Sequence, residues 1–178
     1  MGFNLKQAAN ATKPDGGKFP VIPAGLYLGQ VSKTEIKTSQ AGNEYINLTI
    51  DVKNIQDGKP LGKIWHILTI TEKNLYQIKR IMEAAGMPLD EDAADEEMST
   101  TDLAKLLDKA SFLIHTKVRP AENGYKERAE IDVWGTMSGF APIDEANKWW
   151  SIIVDGKDPD ADDSFMNIPE DTDEEIVF

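Results

Sequence analysis

From Tyr45 to Val52 the chain reads YINLTIDV, with a polar or amphipathic side chain and an aliphatic one alternating at every step. Successive residues of an extended strand point to opposite faces, so this spacing predicts a half-buried β-strand. Ile46, Leu48, Ile50 and Val52 then belong to a core. Tyr45, Asn47, Thr49 and Asp51 face outward and bring a ring and an amide to that face as well as charge. The strand is reached through Lys37-Thr-Ser-Gln-Ala-Gly42-Asn43, a loop that opens on a lysine and in which Gly-Asn turns the chain. With PAGLYLGQVSKTEI before it, from Pro23 onward, the stretch predicts a hairpin. A strand face with ring and amide groups beside a cationic loop suits a flexible polyanion.

The other elements follow from periodicity and punctuation. The first strand is expected over about 25–37, with Leu26, Leu28, Val31 and Ile36 inward and a bulge near Gly29 to reconcile their spacing. The second is expected over about 44–53. Asp57-Gly58 turns the chain into a third strand over about 62–71. There Ile64, His66, Leu68 and Ile70 share one face, and Lys63, Trp65, Ile67 and Thr69 the other. A helix over about 72–85 has Thr71 as its N-cap and Leu75, Ile78, Ile81, Met82 and Ala85 at helical spacing, and Gly86 and Pro88 stop it. A shorter helix over about 101–109 begins at Ser99-Thr100-Thr101-Asp102. Strands four and five are expected over about 111–119 and 125–135, with the turn 120–124 between them. Trp149-Trp150 and Ile152-Ile153-Val154 are expected to dock on the body. Strand, strand, strand, helix, strand, strand is the order of a five-stranded oligonucleotide-binding (OB) barrel. The expected fold is therefore mainly β: an OB barrel over 21–154, a flexible arm over 1–20 and a disordered acidic tail over 155–178.

Composition narrows the chemistry. The absence of cysteine excludes a disulfide scaffold, a thiolate zinc site and a cysteine nucleophile. No apolar run approaches the roughly 18 residues of a membrane span, and no secretory leader precedes the body, so a cytoplasmic protein is expected. The net charge of −12 is segregated. It is +4 over 1–89, −6 over 90–98, −1 over 99–154 and −9 over 155–178, which leaves a body near +3 outside the acidic insertion and tail. Local fields rather than net charge decide what a groove attracts. Gly58-Lys-Pro-Leu-Gly62-Lys63-Ile64 imitates a phosphate loop but is one residue short and lacks the Ser/Thr for magnesium. No catalytic residues and no cofactor are expected.

Single-strand binding needs cations along the backbone and flat side chains under unpaired bases. The candidate cations are Lys33, Lys37, Lys63, Lys117, Arg119, Lys126 and Arg128. The candidate rings are Tyr45, Trp65, Tyr125 and Trp134, and the candidate polar groups are Ser39, Asn43 and Asn47. Trp65 would equally suit a core position, Trp134 a cover over a sheet edge, and Lys37 a solubilising role. In the tail, Asp173, Glu174 and Glu175 lead into Ile176, Val177 and Phe178. An acidic run with an apolar, aromatic tip suits a pocket ringed by Lys/Arg on a partner.

These stretches resemble bacteriophage-encoded single-stranded DNA-binding proteins of the OB type. The resemblance is carried by PAGLYLGQV, KTSQAGNEYINLTIDV, KIWHILTI before a helix, and the acidic tail ending in Phe178, over about residues 21–135 and the last ten. The tail also resembles the acidic Ile-Pro-Phe tip of bacterial single-strand-binding proteins, with Val177 where that tip has proline. The resemblance implies coating of single strands in DNA replication, recombination and repair. It also implies recruitment of a DNA polymerase or helicase–primase by the tail. Two other readings fit the residues: a protein-binding OB module that never touches DNA, and a small metal-dependent nuclease. A homo-oligomer is left open.

Overall fold

The computed structural model describes residues 20–87, 89, 91 and 97–157. Six antiparallel strands carry the fold: β1 (Gly25–Thr38), β2 (Glu44–Lys53), β3 (Pro60–Thr69), β4 (Ser111–Arg119), β5 (Arg128–Ile131) and β6 (Phe140–Ala141). Three helices accompany them: α1 (Leu75–Ala84), α2 (Thr100–Leu107) and α3 (Ala146–Ile153). The strands lie in the order β3-β2-β1-β4-β5, and β6 pairs with β4. β3 and β5 form no ladder with each other, so the sheet is not closed by hydrogen bonds, although their backbones come within 8 Å.

The alternation in β2 is met residue by residue. Ile46, Leu48, Ile50 and Val52 are fully buried, and they join Ile64 and Leu68 of β3 and Phe112 and Ile114 of β4 in the main core. β1 departs from expectation. Val31 stands opposite Ile50 and Lys33 opposite Thr49, so the extra residue is Ser32 and not one near Gly29. Before the bulge the strand presents Tyr27 and Val31 to the main core, while Leu26 and Leu28 pack into a second, smaller cluster with Leu113, Met137 and Trp149. Gly29 sits where the strands press closest: a Cβ there would lie 2.9 Å from methyls of both Ile50 and Ile114. Ile36, opposite Ile46, is left exposed.

α1 lies between β3 and β4 in the chain, as expected, and is entered through a 3-10 turn, Glu72–Asn74. Thr71 makes no side-chain cap, and Leu75, counted in the apolar stripe, is exposed; Ile81 and Met82 carry the packing. Gly86, at φ +83°, lets the Gly86 and Met87 N–H groups reach back to the Glu83 and Met82 carbonyls and end the helix. The Arg80 guanidinium bonds the Met137 and Phe140 carbonyls, tying α1 to the loop before β6. α2 is capped by Ser99, whose hydroxyl accepts from the Asp102 N–H at 3.1 Å. Leu103 and Leu107 are buried, while Leu106 is exposed.

β5 is four residues long instead of eleven. At its start Glu122 and Tyr125 bond each other across Asn123 (φ +51°) and Gly124 (φ +82°), a tight turn that takes Tyr125 out of the strand. At its end the Gly135 N–H bonds the Asp132 carbonyl and the chain turns again. Trp134 therefore sits on a turn. α3 docks through Trp149, Trp150, Ile152 and Ile153, as expected, while Val154 just after it is exposed; Trp149 is buried in the second cluster, and its indole N–H donates to Glu145 Oε2 at 2.7 Å. No helix among the described residues is long and apolar enough to cross a membrane.

Candidate nucleic-acid interface

Antiparallel register fixes which side chains share the outer face. Lys33 is opposite Thr49, Lys37 opposite Tyr45, Asn47 opposite Ile67, Thr49 opposite Trp65 and Asp51 opposite Lys63. Directly paired residues point the same way. One surface of β1, β2 and β3 thus carries Lys33, Lys37, Tyr45, Asn47, Lys63 and Trp65 together, because the aliphatic partners on the other surface hold the register.

At one end this surface runs into a groove between β3 and β5 of about 870 Å³. Six of the residues singled out by sequence line it: Asn47, Lys63, Trp65, Lys117, Arg128 and Trp134. Trp65 is 65% exposed and Trp134 84%, so neither indole belongs to the core or covers an edge. Arg128 also lines a neighbouring hollow of about 330 Å³ with Arg119, Tyr125 and Lys126. Its guanidinium lies 6.0 Å from the Tyr125 ring centre. The turn before β5 therefore continues the groove.

The remaining candidates lie elsewhere. Ser39 and Asn43 lie in the β1–β2 turn, where Ser39 Oγ accepts from the Asn43 backbone N–H at 3.2 Å, and neither lines the groove. Lys33, Lys37 and the half-buried Tyr45 share the outer face but do not line the groove. The tail residues Asp173, Glu174, Glu175, Ile176, Val177 and Phe178 lie outside the described residues.

Several cations already have carboxylate neighbours. Lys33 lies 2.7 Å from Glu35 and Lys63 2.5 Å from Asp51. Lys117 is 3.6 Å from both Glu130 and Asp132, and Arg119 is 3.9 Å from Glu130. Lys33 holds the exposed Glu35 carboxyl below the usual range, first by hydrogen bonding and then by its charge. The pairs at Glu35 and Asp51 are exposed and therefore weak, so a phosphate can take over Lys33 or Lys63 at small cost, whereas Glu130 and Asp132 beside Lys117 are only partly exposed. Lys126 and Arg128 have no ion-pair partner among the described residues.

Both histidines stay neutral at pH 7. Burial pushes His66 down to about 4. Burial also lowers His115, against the opposing pull of Asp132, whose Oδ2 is 3.9 Å from Nδ1. Neither adds charge to the groove. Among the described residues no three His, Asp or Glu side chains stand together as metal donors.

The candidate residues omitted Ile67, which is 58% exposed in the groove wall. Its alternation with Trp65 carried the signal. They also omitted Pro20, Val21 and Ile22, which line the groove from the chain's entry and have no periodicity to mark them. A search of curated proteins finds no match to this chain. A family described as "Protein of unknown function (DUF669)" matches residues 7–146, which take in every strand of the sheet and both walls of the groove, and the chain belongs to that family.

Proposed function

We propose that this is a non-enzymatic protein that binds single-stranded DNA with little sequence preference, serving phage DNA replication, recombination and repair. The observation that carries the reading is the pair of exposed tryptophans, Trp65 and Trp134, in one groove with Asn47, Lys63, Lys117 and Arg128. Indoles offer faces to unpaired bases while cations beside them follow phosphates, and neither demands a particular base. A duplex keeps its bases stacked inward and cannot use the indoles.

The strand order supports an OB reading. β3-β2-β1-β4-β5 with β3 and β5 side by side is the order of an OB barrel, a fold that is itself partly open. Its binding surface lies on strands 2 and 3 with the loops 1–2 and 4–5. Here that surface corresponds to the outer face of β2 and β3, residues 37–43 and residues 120–124. The acidic tail, tipped by Ile176-Val177-Phe178, would recruit a polymerase or helicase–primase through basic pockets on those partners.

A second reading draws on the carboxylates. Glu35, Asp51, Glu130 and Asp132 already accompany five of the candidate cations, as they would on a face that binds protein. Titration of oligo-dT into the protein separates the two. On the single-strand reading, the strand quenches tryptophan emission, and Trp65→Ala with Trp134→Ala weakens binding. Absence of any quenching or binding favours the protein-binding module. Degradation of the strand on adding magnesium would instead mark a nuclease.

A further inference from the structure

The β4–β5 ladder pairs its charges in two different ways. Lys117 stands opposite Glu130, and two residues along, on the same face, Arg119 stands opposite Arg128. Opposite charges across a ladder attract, whereas like charges directly opposite repel and weaken it. The first rung is therefore complete in itself and the second is not. Glu130 cannot complete it, because its one carboxylate is divided between Lys117 at 3.6 Å and Arg119 at 3.9 Å. Arg128 has no ion-pair partner among the described residues. Both arginines line the hollow of about 330 Å³ beside the groove, together with Lys126, Asn123, Tyr125 and Glu122. Three cations thus face this hollow against one carboxylate. Arg128 also lines the groove, so hollow and groove meet at this residue.

We infer that the Arg119–Arg128 rung is a phosphate site: it holds one backbone phosphate of a strand lying in the groove, and a free phosphate ion when no strand is bound. Guanidinium groups suit this ligand, because each planar fork matches two phosphate oxygens at once. An anion between the two arginines turns repulsion across the rung into two attractions, so anion binding and ladder stability rise together. The Tyr125 ring centre, 6.0 Å from the Arg128 guanidinium carbon, favours a cation there. The tight turn at Asn123 and Gly124 brings Tyr125 and Lys126 to the same hollow. A strand whose bases lie on Trp65 and Trp134 runs along the groove that Arg128 also lines, so one of its phosphates is the anion nearest to hand. A site of ~1 mM affinity would favour the folded state about tenfold at ~10 mM phosphate. The site stands on the rung and the hollow; its use by a strand rests on the single-strand reading.

The test follows thermal unfolding of the full chain in sodium phosphate and in sodium chloride of equal ionic strength. The parent should have the higher Tm in phosphate, and Arg119→Gln and Arg128→Gln should each lose that difference. Arg128→Glu should lose it too and, by placing opposite charges on the rung, should raise Tm in chloride. Equal midpoints of the parent in the two salts overturn the site. So does a difference that persists in the arginine variants, or a lower Tm of Arg128→Glu in chloride. The phosphorus NMR line of inorganic phosphate needs no variant: the full chain should broaden it, and an unchanged line overturns the site. Adding oligo-dT should then sharpen the line again. If oligo-dT binds and the line stays broad, the strand does not use the rung and that half of the inference falls. If phosphate binds but no form binds oligo-dT, the site stands and the single-strand reading fails.

Discussion

Exposure and register give single residues testable roles. Trp65 and Trp134 contribute little to the core, so Trp65→Ala and Trp134→Ala should leave stability within about 0.5 kcal/mol of the parent. Each should cost ~1–3 kcal/mol of oligo-dT affinity if a base stacks on it. Denaturant unfolding and titration of the same samples separate the two effects. A large stability loss with unchanged affinity would make these residues structural. His66 is the opposite case. It lies edge-on to Phe140 at 5.3 Å, and its Nε2 has no hydrogen-bond partner among the described residues. Burial holds its pKa at about 4 against an ordinary value of 6.5. As pH falls below 6.5 the unfolded chain takes up a proton that the folded chain refuses until about 4. Stability is therefore fully present above 6.5 and declines across that window, by about 2 kcal/mol at pH 5 from this group. His66→Leu should reduce the difference between denaturation midpoints at pH 7 and pH 5, while His115, also lowered by burial, keeps part of it. An undiminished difference would show that the imidazole is not the cause.

At the level of elements, the strongest patterns in the sequence were legible and the turns were not. β2 could be read because each of Ile46, Leu48, Ile50 and Val52 is buried on one face only. β4 also has its expected bounds. β1 was misread because Leu26 and Leu28 are as apolar as Val31, and no periodicity shows that they serve a second core built by α3. β5 was overextended because Ala129, Ile131 and Val133 keep alternating after the ladder has ended, while the turns at 123–124 and 132–135 are set by backbone dihedrals and hydrogen bonds. The groove has the same split. Trp65 and Lys63 followed from strand alternation. That Lys117, Arg128 and Trp134 face them depends on β3 and β5 lying side by side, a contact between strands far apart in the chain. Arg128, at the junction of groove and hollow, is suited to a phosphate. Arg128→Ala should weaken oligo-dT binding and reduce the slope of log affinity against log salt by about 0.7, the value for one phosphate contact on a single strand. An unchanged slope would remove Arg128 from the backbone path.

The whole molecule is a charge-segregated object. Of its net −12, residues 155–178 supply −9 and residues 90–98 supply −6; of the +3 that remains, residues 1–19 carry +2 and the sheet with its helices only +1. A tethered polyanion beside a cationic face competes with DNA most strongly when salt is low. Deleting 171–178 should tighten oligo-dT binding at low salt, and unchanged or weaker binding in the truncated protein would sink that competition. The central claim is more direct: a groove with two exposed indoles and a cationic rim takes unpaired strands. Its most direct test is a tryptophan-fluorescence titration of the full chain with oligo-dT and with a duplex of matched length, at two salt concentrations. The account predicts quenching by the single strand, an affinity that falls as salt rises, and little response to the duplex. Equal binding of both forms, or no response to either, would contradict it.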